Sequence, residues 1–192
     1  MEGWWATSYV VLWLLVVVLS FVVVALARQI GTLHLRLGPR GALEMDDEGP
    51  PLQEAPPAID LVDLEQRHLS IGGPGRAQLL LFVSPGCHLC EAVLPSLAAV
   101  SEVGLMDPVV VADADAAETI SVYGNRRLKA PVVSAAKVAR AYRVPGTPYA
   151  VILDDLGVVR AKGAINNLEQ MEGLVNTARR RIEESSPERR AS

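Results

Sequence analysis

The chain has 192 residues, with 22 Asp and Glu against 18 Lys and Arg, a formal charge of −4 and a pI near 5.4. That balance excludes nucleic acid as a partner, because phosphate binding needs a basic face, and the clusters Arg126-Arg127-Lys129 and Arg179-Arg180-Arg181 read as solvated surface. Two cysteines cannot frame a disulfide scaffold, and three scattered histidines leave Cys87, His88 and Cys90 short of the ligands that a structural zinc needs, so no metal is expected.

Half of the chain is apolar and the mean hydropathy is +0.25, which points to a membrane segment. After an N-terminal tail (1–8), residues 9–27 supply it. Val10 to Leu26 is almost all Val and Leu, with Trp4, Trp5, Tyr9 and Trp13 toward one end, as interface aromatics are. No polar face exists for a buried core helix to turn outward. Ala25-Leu26-Ala27 resembles a signal-peptide cleavage site, but the stretch before the apolar run carries Glu2 and no Lys or Arg, so a retained single-pass anchor is the better reading. Arg28, Arg36 and Arg40 follow the anchor, a bias that favours a cytoplasmic C-terminal domain.

Residues 28–57 read as a juxtamembrane stretch and linker. Gly38-Pro39, Gly49-Pro50-Pro51 and Pro56-Pro57 break regular structure, and Glu44-Met45-Asp46-Asp47-Glu48 is a solvated acidic run. A globular pattern covers 58–184. Ile59 to Leu64 and Leu69 to Ile71 suggest two short strands around Glu65-Gln66-Arg67. Leu79 to Val83 is a central strand buried on both faces, and Ser84-Pro85-Gly86 ends it. Cys87 to Val100 reads as one helix, Val109 to Ala112 as a strand, and Ala116 to Tyr123 as a helix. Ser134 is the expected N-cap of a helix over Ala135 to Tyr142. Tyr149 to Asp154 and Val158 to Ala164 form a hairpin about Asp155-Leu156-Gly157. Asn166 with Glu169 resembles a capping box for a helix ending at Glu183, and 185–192 reads as a flexible tail. The sum is an α/β fold with a mixed central sheet and flanking helices, preceded by one transmembrane helix.

Cys87 and Cys90 carry the chemistry. Three residues apart on a helix, their side chains share one face, close enough to link with a small adjustment. A strand followed by a short turn puts Cys87 at a helix start, where unpaired N–H groups favour the thiolate. Cys87 is therefore the expected nucleophile and Cys90 the resolving thiol. His88, when protonated, would favour the thiolate further, while an exposed helix residue of minor effect is the plainer alternative.

Leu79 to Leu97 (LLLFVSPGCHLCEAVLPSL) resembles the active-site strand and helix of the thioredoxin superfamily. Pro95 matches the proline that kinks that helix, and Gly146-Thr147-Pro148-Tyr149 matches the cis-proline loop. The resemblance implies a cis bond before Pro148 and a substrate-binding segment at Thr147, Pro148 and Tyr149. His88 stands where the family usually has proline, and Leu81 where thioredoxin has a buried acid. Asp113 and Asp115 are candidates for that acid's proton-relay role, with solvated loop positions as the commoner outcome. Ala25 to His34 (ALARQIGTLH), Gly41-Ala42-Leu43 and Gly49-Pro50 are similar to the anchor and juxtamembrane pattern of the MauD family of methylamine utilisation proteins. That likeness implies a membrane-anchored oxidoreductase on the extracytoplasmic side. It implies a protein substrate with cysteines, such as the methylamine dehydrogenase small subunit, a separate redox partner, and no cofactor beyond the cysteine pair. A non-catalytic factor that holds an exported subunit is the rival reading. A thiol peroxidase is a less favoured third reading, because the sequence does not reveal the Thr and Arg arrangement that peroxidatic cysteines need.

Overall fold

The structure, a computed structural model, describes residues 3–36, 48–102 and 106–191, and the chain divides into two units, Met1–Pro39 and Arg40–Ser192. The breaks at Gly38-Pro39 and the acidic residues 44–47 lie outside the described residues.

The first unit is one helix, α1 (Gly3–Arg36). Its segment Gly3–Val24 has 22 residues and contains an 18-residue window of mean hydropathy 2.6, with none of that window buried. At the α-helical rise they reach about 33 Å, enough for a hydrocarbon core of about 30 Å. Thr7 and Ser20 return their hydroxyls to the carbonyls of Gly3 and Val16, each at 2.8 Å, so neither presents an unpaired donor to lipid. This helix fits a membrane anchor. It continues past Arg28, where the apolar run ends.

In the second unit, β1 (Ile59–Val62) and β2 (His68–Ile71) pair antiparallel. Asp63 closes their turn: Oδ1 accepts the N–H groups of Glu65 and Arg67, and Oδ2 accepts from the Arg67 guanidinium. The main sheet contains β3 (Gln78–Val83), β4 (Asp107–Ala112), β5 (Val132–Ser134), β6 (Tyr149–Leu153) and β7 (Val159–Ala164), in the order β5-β4-β3-β6-β7. β3 runs parallel to β4 and antiparallel to β6, so the sheet is mixed.

Every apolar residue of β3 is buried because both faces are covered. Leu79, Leu81 and Val83 point into a cluster with Cys90, Tyr123 and Met171. That side is built by α2 (His88–Val93), α3 (Ser96–Glu102), α4 (Ala116–Tyr123) and α6 (Leu168–Ala191). Leu80 and Phe82 point the other way, against the hairpin and α5 (Ala136–Ala141), where Tyr142 packs its ring on Phe82.

Several elements depart from the sequence reading. The helix expected over Cys87 to Val100 is two helices, because Pro95 has no N–H to continue the ladder and α2 ends at its cap Leu94. β5 was not foreseen; it has three residues, and its partner β4 supplies the pairing. Ser134 lies in that strand and donates its hydroxyl to the Ala114 carbonyl at 2.8 Å, while Ala135 precedes α5 with no side-chain cap. The cap of α6 is shifted by one residue. Asn167 accepts the Gln170 N–H at 2.9 Å, and Gln170 accepts the Asn166 N–H at 2.7 Å. α6 runs to Ala191, beyond Glu183. Part of the segment read as linker is docked as a strap. Gln53 and Glu54 exchange backbone hydrogen bonds with Val159, and Leu52 packs against the core.

Candidate active site at the Cys87–Cys90 pair

The site begins where β3 stops. Ser84, Pro85, Gly86 and Cys87 make a tight turn closed by the Cys87 N–H on the Ser84 carbonyl at 3.3 Å. Proline fits the second position of such a turn, and Gly86, at φ 74°, supplies the left-handed conformation required at the third. Cys87 follows in extended backbone as the N-cap of α2. Its sulfur takes the place of a capping oxygen and receives the Cys90 N–H at 3.2 Å.

Cys87 and Cys90 are joined as a disulfide with Cα atoms 5.2 Å apart. Cys87 is half-buried, whereas Cys90 is fully buried in the core. The two sulfurs of the bond therefore differ in access. His88 opens α2 and is exposed, as is Leu89, at 52%.

The opposite wall is the loop before β6. The Thr147–Pro148 bond is cis, and the Thr147 carbonyl oxygen lies 3.7 Å from the Cys87 sulfur. Pro148 is buried beside it. Tyr149, grouped with the substrate-binding residues from sequence, is 2% exposed and sits in the core cluster on the other face of the sheet from the cysteines. Its hydroxyl donates to the Glu48 carbonyl at 3.2 Å, and buried Lys162 donates to the same oxygen at 2.7 Å. The Tyr149 side chain is thus committed to the strap and does not face the disulfide.

Two residues that sequence reasoning missed complete the site. Ser84 and Thr147 share a hydroxyl–hydroxyl hydrogen bond of 2.7 Å, and the buried Tyr123 donates its hydroxyl to the Ser84 carbonyl at 3.2 Å. Burial raises the Tyr123 phenol above its usual range, against the lowering effect of Arg126. Arg126 stands 5.9 Å from the Tyr123 ring centroid and pairs with Glu91 of α2 at 2.7 Å. These links span 39 and 63 residues of sequence, so no local motif announces them. The candidate relay acids are used otherwise. Asp115 caps α4 by accepting the Glu118 N–H at 2.8 Å, and Asp113 is exposed.

No protein-family model matches the chain. Its sequence is 34% identical over 182 residues to the methylamine utilization protein MauD of Methylobacillus flagellatus, covering 93% of this chain and 88% of that one. It is 32% identical over 183 residues to the protein of the same name from Paracoccus denitrificans, covering 93% and 91%. Among solved structures, an exposed lipoprotein thioredoxin of Streptococcus pneumoniae superposes with a TM-score of 0.56 at 18% identity, covering 65% of this chain and 99% of that one. That likeness establishes the thioredoxin fold.

Proposed function

The chain belongs to the MauD family, and from that premise we propose that it is a membrane-tethered thiol–disulfide oxidoreductase acting on cysteines of an exported protein. The observation that carries this reading is the unequal disulfide: a half-buried Cys87 sulfur beside the Thr147 carbonyl, joined to a fully buried Cys90.

In the oxidising direction, a substrate thiolate attacks the Cys87 sulfur. The Cys87–Cys90 bond breaks, Cys90 leaves as a thiolate and takes a proton, and a mixed disulfide joins substrate to Cys87. A second substrate thiolate then displaces Cys87. Two electrons and two protons have passed from the substrate dithiol to the cysteine pair, and a separate disulfide-bearing redox partner takes them on. Reduction is the same sequence reversed, with Cys87 attacking and Cys90 resolving. Isomerisation joins the first half of reduction, Cys87 attacking a substrate disulfide, to the second half of oxidation, in which a different substrate thiolate displaces Cys87. The Cys90 N–H stabilises a Cys87 thiolate in either direction. An extended substrate segment lies along the Thr147 backbone, as an added strand would. His88, exposed at the first position of α2, adds positive charge near that thiolate when protonated.

For the substrate we propose a cysteine-bearing subunit of the exported amine-oxidising enzyme, the methylamine dehydrogenase small subunit. The name that the relatives carry, methylamine utilization protein, supports this. We place the redox domain outside the cytoplasm. An alkaline phosphatase fusion after Ser192 is expected to be active, and an inactive fusion would reverse the sidedness.

The Cys90→Ser variant tests the chemistry, because it leaves Cys87 without its resolving thiol. It should accumulate a mixed disulfide with its substrate, visible on non-reducing gels and lost with Cys87→Ser. If the double Cys→Ser variant still matures its partner fully, the protein is a holding factor and the proposal fails.

A further inference from the structure

We propose that Ser84 is a positioning residue: its hydroxyl pins Thr147, so that the Thr147 carbonyl stays against the Cys87 sulfur. The inference rests on Cys87 being the exchanging sulfur.

Three bonds converge on Ser84. Its carbonyl accepts the Cys87 N–H at 3.3 Å and the Tyr123 hydroxyl at 3.2 Å, and its hydroxyl is bonded to the Thr147 hydroxyl at 2.7 Å. The end of β3, the start of the cysteine turn, α4 and the cis-proline loop are therefore joined at one residue. Thr147 places its carbonyl oxygen 3.7 Å from Cys87, on a sulfur that already receives the Cys90 N–H. The two groups oppose each other. The N–H favours a thiolate at Cys87. The carbonyl accepts from a thiol and repels a thiolate, so it favours the protonated form. How firmly Thr147 is held decides the balance: the buried cis-Pro148, whose carbonyl accepts the Ile165 N–H at 3.2 Å, fixes it from one side, and the Ser84 hydroxyl ties it to the cysteine turn on the other. Replacing Ser84 by alanine deletes that link and keeps both backbone bonds of its carbonyl. The titratable and charged groups around Cys87 are His88, Cys90 and Glu91 of α2, Tyr123 of α4, and Arg126 paired with Glu91. The substitution removes none of them.

The test is the pH profile of Cys87 alkylation in the reduced, detergent-solubilised full chain. Ser84→Ala should lower its midpoint by about 0.5–1 pH unit, the scale of one ordinary hydrogen bond. Thr147→Val removes the same bond from its other end and should give the same shift. The double variant should shift no further, because both changes break one interaction. Ser84→Thr keeps the hydroxyl and should return the wild-type midpoint. An unmoved midpoint in Ser84→Ala, a Ser84→Thr variant shifted as far as Ser84→Ala, or additive shifts in the double variant would overturn the inference. If Ser84→Ala fails to fold, Thr147→Val decides alone. If wild-type Cys87 shows no thiolate-dependent step, the redox reading falls and takes this inference with it; a normal wild-type profile with an inert Ser84→Ala sinks the inference alone.

Discussion

The backbone N–H of Cys90 points at the sulfur of Cys87 across 3.2 Å. The residue proposed to resolve the exchange would therefore also stabilise the attacking form of its partner. A thiolate accepts such a bond better than a thiol does, and Cys87 is the half-buried member while Cys90 is fully buried. In the reduced native protein, iodoacetamide at neutral pH should modify Cys87 at least about tenfold faster than Cys90, read by peptide mass spectrometry. Equal labelling would remove the division of roles.

Tyr142 lies against Phe82 with its hydroxyl fully buried and, among the described residues, without a hydrogen-bond partner. Burial pushes its phenol up to about 12. Tyr142→Phe deletes a dehydrated polar atom and keeps the ring. It should be neutral or stabilising by about 1 kcal/mol in chemical denaturation. The sign at alkaline pH follows from the raised value. The neutral phenol is favoured in the fold, so its contribution is complete below about pH 10, the usual phenol value, and is lost as pH rises toward 12. Tyr142→Phe should flatten that alkaline decline.

Gly49 holds the strap against Tyr149 with a φ of 76°, and a Cβ there would collide with the Tyr149 hydroxyl. Gly49→Ala should cost about 1–3 kcal/mol by combining left-handed strain with displacement of the Glu48 carbonyl from Tyr149 and Lys162. Equilibrium unfolding of the full chain measures it. A variant as stable as wild type would show that the strap is not an integral part of the fold.

Asp63 closes the β1–β2 turn from a buried position. Burial alone would raise its carboxyl, but the hydrogen bonds and charge of Arg67, with the Glu65 N–H, outweigh it and hold the group below the usual range. A depressed carboxyl stabilises the fold fully above its unfolded value near 3.9, and that contribution disappears as pH falls through the folded value. Asp63→Asn should lower the denaturation midpoint at pH 7, and the gap to wild type should close below about pH 4. A constant gap across that range would contradict the assignment.

Local pattern made much of this fold legible. The apolar run of α1 and the two-faced burial of β3 follow from hydropathy. The elements that escaped depend on distant partners. β5 has only three residues and exists because β4 lies beside it. The strap looks like a proline-rich linker, yet it is fixed by Val159, Tyr149 and Lys162 more than a hundred residues away. In the site, the cysteines and the Thr147-Pro148 pair announce themselves by motif. Ser84 and Tyr123 do not, because a serine after a strand and a tyrosine at the end of a short helix have no significance until the fold joins them. Tyr149 was misread for the related reason that a strand residue next to a site can point to the opposite face of its sheet.

The central claim is that Cys87 and Cys90 interconvert as one two-electron couple. Equilibrating the full chain across a graded series of thiol and disulfide buffers, then alkylating and weighing the products, tests it most directly. The account predicts a single transition in which both thiols vanish together, with about 30 mV per tenfold change in the oxidised-to-reduced ratio. Two thiols that oxidise separately, each ending as an adduct of the buffer and never linked to the other, would contradict it.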